Sequence, residues 1–113
     1  MKHKIDNDFL LIELSWEECK ELNFGFEGII ICDNCNTELD EEPYNYICCL
    51  NMVFCQECLD DWLKNAIHYD DVNELRYEAN KFNFISGKLN YDYKARVVKS
   101  EGKNKIEIYD TRK

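Results

Sequence analysis

Seven cysteines stand in a chain of 113 residues, and four of them repeat one pattern: Cys32-Asp33-Asn34-Cys35 and, 19 residues later, Cys55-Gln56-Glu57-Cys58. Two residues between cysteines allow a tight turn that aims both sulfurs at one point. Two such pairs supply the four donors that a tetrahedral zinc ion takes at about 2.3 Å. With thiolate at every position no coordination site is left for water, so a zinc ion here holds structure and does not catalyse. The N-terminal Met1-Lys2-His3-Lys4 leads into acidic residues rather than the apolar stretch of a secretory leader. The expected compartment is therefore the cytoplasm, where thiols stay reduced, and an odd number of cysteines could not all pair within one chain in any case.

The remaining candidates for chemistry are fewer. Cys48 and Cys49 are adjacent, so on a strand they point to opposite faces and cannot both serve one ion. One belongs to the core, or one replaces a ligand of the first set. His68, ten residues after Cys58, could join Cys48 or Cys49 around a second metal, or be an ordinary satisfied histidine. Cys19 reads as a small buried apolar residue. A Gly-rich phosphate loop, His-Glu-x-x-His and Gly-x-Ser-x-Gly are all absent as motifs, as is a Cys/His nucleophile pair. The deaminase pattern fails too, for want of a His-x-Glu and an open zinc position. The expected protein is not an enzyme.

Elements that would position the cysteines follow from periodicity. Phe9-Leu10-Leu11-Ile12-Glu13-Leu14 is a mostly buried strand, and Ser15 with Glu18 forms the Ser-x-x-Glu box that starts a short helix over 16–22. Residues 23–28 turn the chain, and the β-branched Ile29-Ile30-Ile31 delivers it into Cys32 as a strand. Two strand-like runs, 44–48 and 52–54, suggest a hairpin around Asn51. From Glu57 the period becomes helical: Leu59, Trp62, Leu63, Ala66 and Ile67 make one apolar stripe on a helix ending near Tyr69. A second helix is capped by Asp71, shows Val72, Leu75, Ala79 and Phe82 on one face, and is broken at Gly87. Alternation at Leu89, Tyr91, Tyr93, Ala95 and Val97, and again at Ile106 and Ile108, predicts a basic hairpin turning over 100–104.

This order of strand, cysteine pair, hairpin and helix carrying the second pair resembles the treble-clef zinc finger over 29–69. More narrowly, Val53-Phe54-Cys55-Gln56-Glu57-Cys58-Leu59-Asp60-Asp61-Trp62-Leu63 is similar to the central stretch of RING fingers, where a Phe-Cys-x-x-Cys-Leu-x-x-Trp-Leu run closes the first zinc site. The resemblance implies that Cys32, Cys35, Cys55 and Cys58 are that first site. The second RING site has no counterpart, because Leu50 and Met52 fall where its Cys and His would stand and no later pair follows Cys58. Asn34 occupies the position of the apolar residue that touches a ubiquitin-conjugating enzyme. Trp62 matches another position of that contact and equally suits plain core. The predicted fold is thus an α+β single domain, 1–113. It has a single-zinc, RING-like treble-clef core at 29–69, an N-terminal strand and helix, and a C-terminal helix and basic hairpin at 70–113.

Composition and charge bound the function. One chain of 13.5 kDa with 45% apolar residues suits one domain, and no apolar run approaches the roughly 20 residues of a membrane span. The net charge of −9 is uneven: residues 1–80 carry 5 basic and 19 acidic side chains, residues 81–113 carry 9 basic and 4 acidic. An acidic body repels a phosphate backbone, so a whole-domain DNA binder is disfavoured. Such a surface serves solubility, or meets a basic partner protein through Asp40, Glu41, Glu42, Glu57, Asp60, Asp61, Asp70 and Asp71. The expected function is therefore a non-catalytic, zinc-stabilised interaction module, of which an acidic inhibitor or adaptor of phage or mobile-element anti-defence type is one form. Asn, Ile and Lys together make 33 residues, a bias similar to that of AT-rich genomes. Two alternatives stand beside it. One is a nucleic-acid-binding finger using Lys94, Arg96, Lys99, Lys103 and Lys105 near Tyr91 and Tyr93, unless that hairpin docks on its own acidic body. The other is a degenerate RING-like ubiquitin-ligase adaptor.

Overall fold

The computed structural model describes residues 1–112. Its centre is a four-stranded antiparallel sheet of β1 (Lys2–Asp6), β2 (Phe9–Leu14), β5 (Tyr44–Ile47) and β6 (Met52–Phe54), in the order β1-β2-β5-β6. The run Phe9 to Ile12 is apolar throughout because β2 is buried on both faces. Leu10, Ile12 and Leu14 enter one core, with Tyr44, Tyr46, Phe82 and Ile85. Phe9 and Leu11 enter a second, with Cys32, Ile47, Phe54 and Leu59. The strand's period of two thus divides the molecule into two halves that share one sheet.

On the first face lie α1 (Trp16–Glu21), α3 (Val72–Lys88) and the hairpin β7 (Tyr93–Ser100) and β8 (Lys103–Asp110). The capping box starts α1 as expected: Ser15 Oγ accepts from Glu18 N at 3.1 Å, and Ser15 N donates to Glu18 at 2.9 Å. On the second face lies α2 (Gln56–Asn65), and a small ribbon of β3 (Ile30–Ile31) and β4 (Glu38–Leu39) reaches both cores, Ile30 entering the first and Cys32, in the turn with the first cysteine pair, the second.

The elements differ from the sequence expectation in several places. No element is expected at β4, which pairs only with the two residues of β3, and none at β1. β1 is a charged edge strand joined to β2 by Asn7 and Asp8, both in the left-handed region that Asn and Asp tolerate. The helix expected to reach Tyr69 stops at Asn65, because Ala66 turns extended and Asn7 Nδ2 donates to the freed carbonyls of Leu63 and Ala66, at 3.1 and 3.3 Å. Ile67 therefore leaves the apolar stripe and is 71% exposed. Gly87 does not break α3, which runs through it to Lys88 and ends where Asn90 takes a left-handed φ of 54°. Leu89 and Tyr91 consequently precede the hairpin instead of opening it, and its turn shortens to Glu101 and Gly102, both left-handed.

The C-terminal hairpin does pack on the rest of the chain, but not by charge. Asn83 brackets Ala95 with both ends of its amide (Oδ1 from Ala95 N at 2.7 Å, Nδ2 to Ala95 O at 2.9 Å), and Ser86 Oγ donates to Tyr93 O at 2.6 Å. Ion pairs of Arg96 and Arg112 are made with Glu107, Asp92 and Asp110, all in the C-terminal segment itself.

One glycine is required by contact as well as by conformation. Gly25 has φ +82°, and a Cβ there would lie 2.2 Å from Ile29 O, inside the backbone bridge that closes Phe26 on Ile29. Gly25→Ala is expected to cost about 1–3 kcal/mol, read as a lowered denaturant midpoint. Gly87→Ala, whose Cβ meets only Lys94 Nζ at 3.6 Å, is expected to be neutral or to stabilise by about 0.5–1 kcal/mol.

Candidate metal centre

The two cysteine pairs arrive from different elements and meet. Cys32 and Cys35 flank the turn between β3 and β4, where Asn36 N donates to Cys32 O at 2.9 Å, Cys32 N donates to Thr37 O at 2.9 Å, and Asn36 is left-handed. Asp33, inside the first pair, staples this turn to the sheet edge: its N–H donates to Val53 O and its Oδ2 accepts from Val53 N, both at 2.8 Å. Val53 lies two residues before Cys55, so the staple brings the first pair to the second. Cys55 is the N-cap of α2 and Cys58 sits in its first turn, where free amides and the helix dipole favour anionic sulfur.

The sulfurs face one another. All four lie within 4.8 Å of each other, with Cys35 and Cys55 4.0 Å apart. A zinc ion at about 2.3 Å from four tetrahedral sulfurs would separate them by about 3.8 Å, so the cluster fits such an ion with small inward movement. Backbone amides already point at the sulfurs. Cys55 N donates to Cys32 Sγ at 3.2 Å, and Cys58 N to Cys55 Sγ at 3.4 Å. Hydrogen bonds from the Thr37 side chain and backbone hold the Cys35 thiol down at about 6. The Asn34 side chain favours the Cys58 thiolate, yet crowding by Cys55, partial desolvation and the other two sulfurs push that thiol up to about 12. Four sulfurs competing for protons at one point are the donor set a divalent cation would relieve. These four cysteines could hold a metal.

The other candidates do not join them. Cys48 is fully buried in the first core, and burial with the nearby Glu78 charge pushes its thiol far up. Burial likewise raises Cys49 and Cys19 to about 12, which makes both inert thiols. His68 is no ligand of this cluster: its Nε2 donates to Glu78 Oε1 at 2.9 Å. Trp62 is half-buried, with its ring against Phe9 at 4.4 Å and Phe54 at 6.3 Å.

Beside the cysteines runs an open trough of about 1080 Å³. Cys35, Cys55 and Cys58 form part of its wall, and Asp40, Glu41, Glu42, Glu57, Asp60 and Asp61 line it, together with Glu38, which the sequence did not single out. Lys64 is the one lysine or arginine lining it among the described residues. Asp70 and Asp71 lie outside, and Asp71 is occupied in capping α3, accepting from Asn73 N and Glu74 N. Sequence reasoning also passed over Asp33 and Glu78. The signal for Glu78 was an acid on the same helical face as Leu75, Ala79 and Phe82.

No protein family matches the chain, and neither a curated protein nor a solved structure matches it. No helix among the described residues is long and apolar enough to cross a membrane.

Proposed function

We propose that this chain is a non-catalytic interaction module, held together by one zinc ion on Cys32, Cys35, Cys55 and Cys58, whose acidic trough receives a basic surface of a partner protein. The observation that carries this reading is the trough itself. Carboxylates from the β4–β5 segment and from α2 line a single concave surface whose wall includes Cys35, Cys55 and Cys58 of the cysteine cluster. A field of one sign focused in a cleft speeds association with an opposite charge and rejects like charge, nucleic acid included. The order of cysteine turn, hairpin β5–β6 and α2 supports a treble clef with only the first site of the RING pattern. An inhibitor that occupies the basic working surface of a host enzyme is the specialisation this charge suits best.

The nucleic-acid alternative is weaker on one point. Tyr91 and Tyr93, which would stack bases, are engaged with His3, at ring centroid distances of 5.7 and 5.0 Å, and Tyr91 also holds His3 Nδ1 at 2.6 Å. For the ligase alternative, polar Asn34 in the first cysteine pair and the missing second site still count against it.

Binding of a Lys/Arg-rich peptide tests the reading. Affinity is expected to fall steeply between 0.1 M and 1 M salt, as the screening length shrinks from about 10 Å to about 3 Å. It is also expected to fall at least about tenfold in Glu57→Gln/Asp60→Asn/Asp61→Asn with bound metal unchanged. Equal binding by that variant would overturn the trough's role.

A further inference from the structure

A second cavity, of about 590 Å³, lies where the C-terminal half of α2, the 66–71 connector and the start of α3 meet. It shares no lining residue with the acidic trough and does not depend on the role assigned there. Four aromatic side chains line it: Phe9, Trp62, Tyr69 and Tyr77. His68 and Glu78 add a fixed polar pair. Glu78 is 1% exposed, yet both carboxylate oxygens are engaged, Oε2 by Leu10 N and Oε1 by His68 Nε2, each at 2.9 Å. The Phe9 ring stands edge-on to the imidazole at 4.8 Å and holds it in place.

With Nε2 on Glu78, whose other oxygen is taken by Leu10 N, the pair is closed on itself and leaves Nδ1 as the one ring nitrogen still open to the cavity. Glu74 adds a second carboxylate to the lining, and no lysine or arginine is among the lining residues described. The ring faces and the exposed Glu74 carboxylate are electron-rich, and the one ammonium beside them, that of Lys81, lies outside the lining and is itself drawn to a ring. Tyr77 already shows what its ring attracts: Lys81 Nζ lies 5.2 Å from its centroid. Tyr69 and Tyr77 are 61% and 45% exposed, so these rings are open to a ligand from solvent. A neutral ligand would gain nothing from the Glu74 charge, and an anion would be repelled by it.

We infer that this cavity binds an organic cation with an apolar body, an alkylated ammonium or a guanidinium, between the aromatic rings and above the His68–Glu78 pair. Such a group comes either from a free amine or from a basic side chain of a protein. One experiment tests the shared chemistry and separates the sources. The intact, metal-loaded protein is titrated with choline, with its neutral isostere 3,3-dimethylbutan-1-ol, and with a short trimethyllysine peptide, following the Trp62 indole N–H by NMR. Trp16 serves as internal control, since its indole donates to Gly28 O and lines no part of this cavity. Choline is expected to shift Trp62 saturably and to bind about tenfold more tightly than the isostere. Glu74→Gln, at an exposed position, is expected to reduce that preference while leaving the fold and the isostere's affinity intact, whereas Tyr77→Ala is expected to weaken choline more than the isostere. A peptide that binds tighter than choline assigns the site to a protein side chain; the reverse assigns it to a free amine. Equal affinity of choline and the isostere, or no saturable shift with either cation, overturns the inference.

Discussion

Removing the metal, by chelation or by Cys58→Ser, is expected to collapse the half of the molecule built on the second core. Apparent binding free energies of structural zinc sites, about 10–16 kcal/mol, match or exceed the 5–15 kcal/mol that stabilises a whole domain. Little else holds this half. α2 has ten residues, β3 and β4 two each with Ile30 in the other core, and the buried second core is Phe9, Leu11, Cys32, Ile47, Phe54 and Leu59. The first core, with α3 and the β7–β8 hairpin, holds no member of the cysteine cluster. Chelation should therefore abolish the chemical-shift dispersion of Trp62 and α2 while signals from Phe82, Ile85 and Ala95 persist. Native mass spectrometry should find one zinc per chain beforehand. Cys35→Ser is expected to match Cys58→Ser, whereas Cys19→Ser, which buries a hydroxyl in the first core, should cost about 1–3 kcal/mol and leave metal content unchanged. Equal, small losses in all three variants would remove the metal from its structural role.

Glu78→Ala is expected to be the most damaging single change away from the cysteines, at about 3–5 kcal/mol. It leaves the buried Leu10 amide without an acceptor and strips the His68 ring of its partner, an unmet buried donor costing about 1–3 kcal/mol, and the packing lost at a residue 1% exposed adds to it. Glu78→Gln keeps an acceptor for Leu10 N and occupies the same space, so a loss of about 1–2 kcal/mol is expected instead. Denaturant midpoints, with metal content checked in parallel, separate this effect from loss of the ion. If Glu78→Ala proved as stable as the parent, the carboxylate would not be bridging β2 to the connector that carries His68.

How much of this was legible in the sequence varies with the range of the interaction. The cysteine spacing is local, and it predicted which four sulfurs would meet. The capping box of α1, the Asp71 cap of α3, the doubly buried β2 and the apolar face of α3 also follow from neighbours within a turn or two. What escaped depends on distant partners. β1 carries no apolar alternation because it is an edge strand, and only pairing with β2 makes it a strand at all. The end of α2 is decided by Asn7, 56 residues from Leu63 in sequence. Propensity makes Gly87 a breaker, but its neighbours Ile85 and Ser86 are buried against the hairpin, and packing outweighs a cost of about 1 kcal/mol. Spacing from Cys58 makes His68 a candidate ligand, and only the fold shows its partner to be Glu78, ten residues on.

The division of β2 between two cores has a consequence for how this sequence can change over generations. Residues of one parity serve the half with the cysteine cluster and those of the other parity serve the helical half. Point substitutions in 9–14 therefore injure one half at a time and can be compensated locally. A single-residue insertion or deletion there exchanges every side chain between the two interiors at once, putting Phe9 where Leu10 belongs and Leu10 where Leu11 belongs. Lineages of this chain should thus vary in β2 by exchange of apolar residues at constant length, while the 101–102 turn, where a Cβ on Gly102 would meet nothing, is free to lengthen.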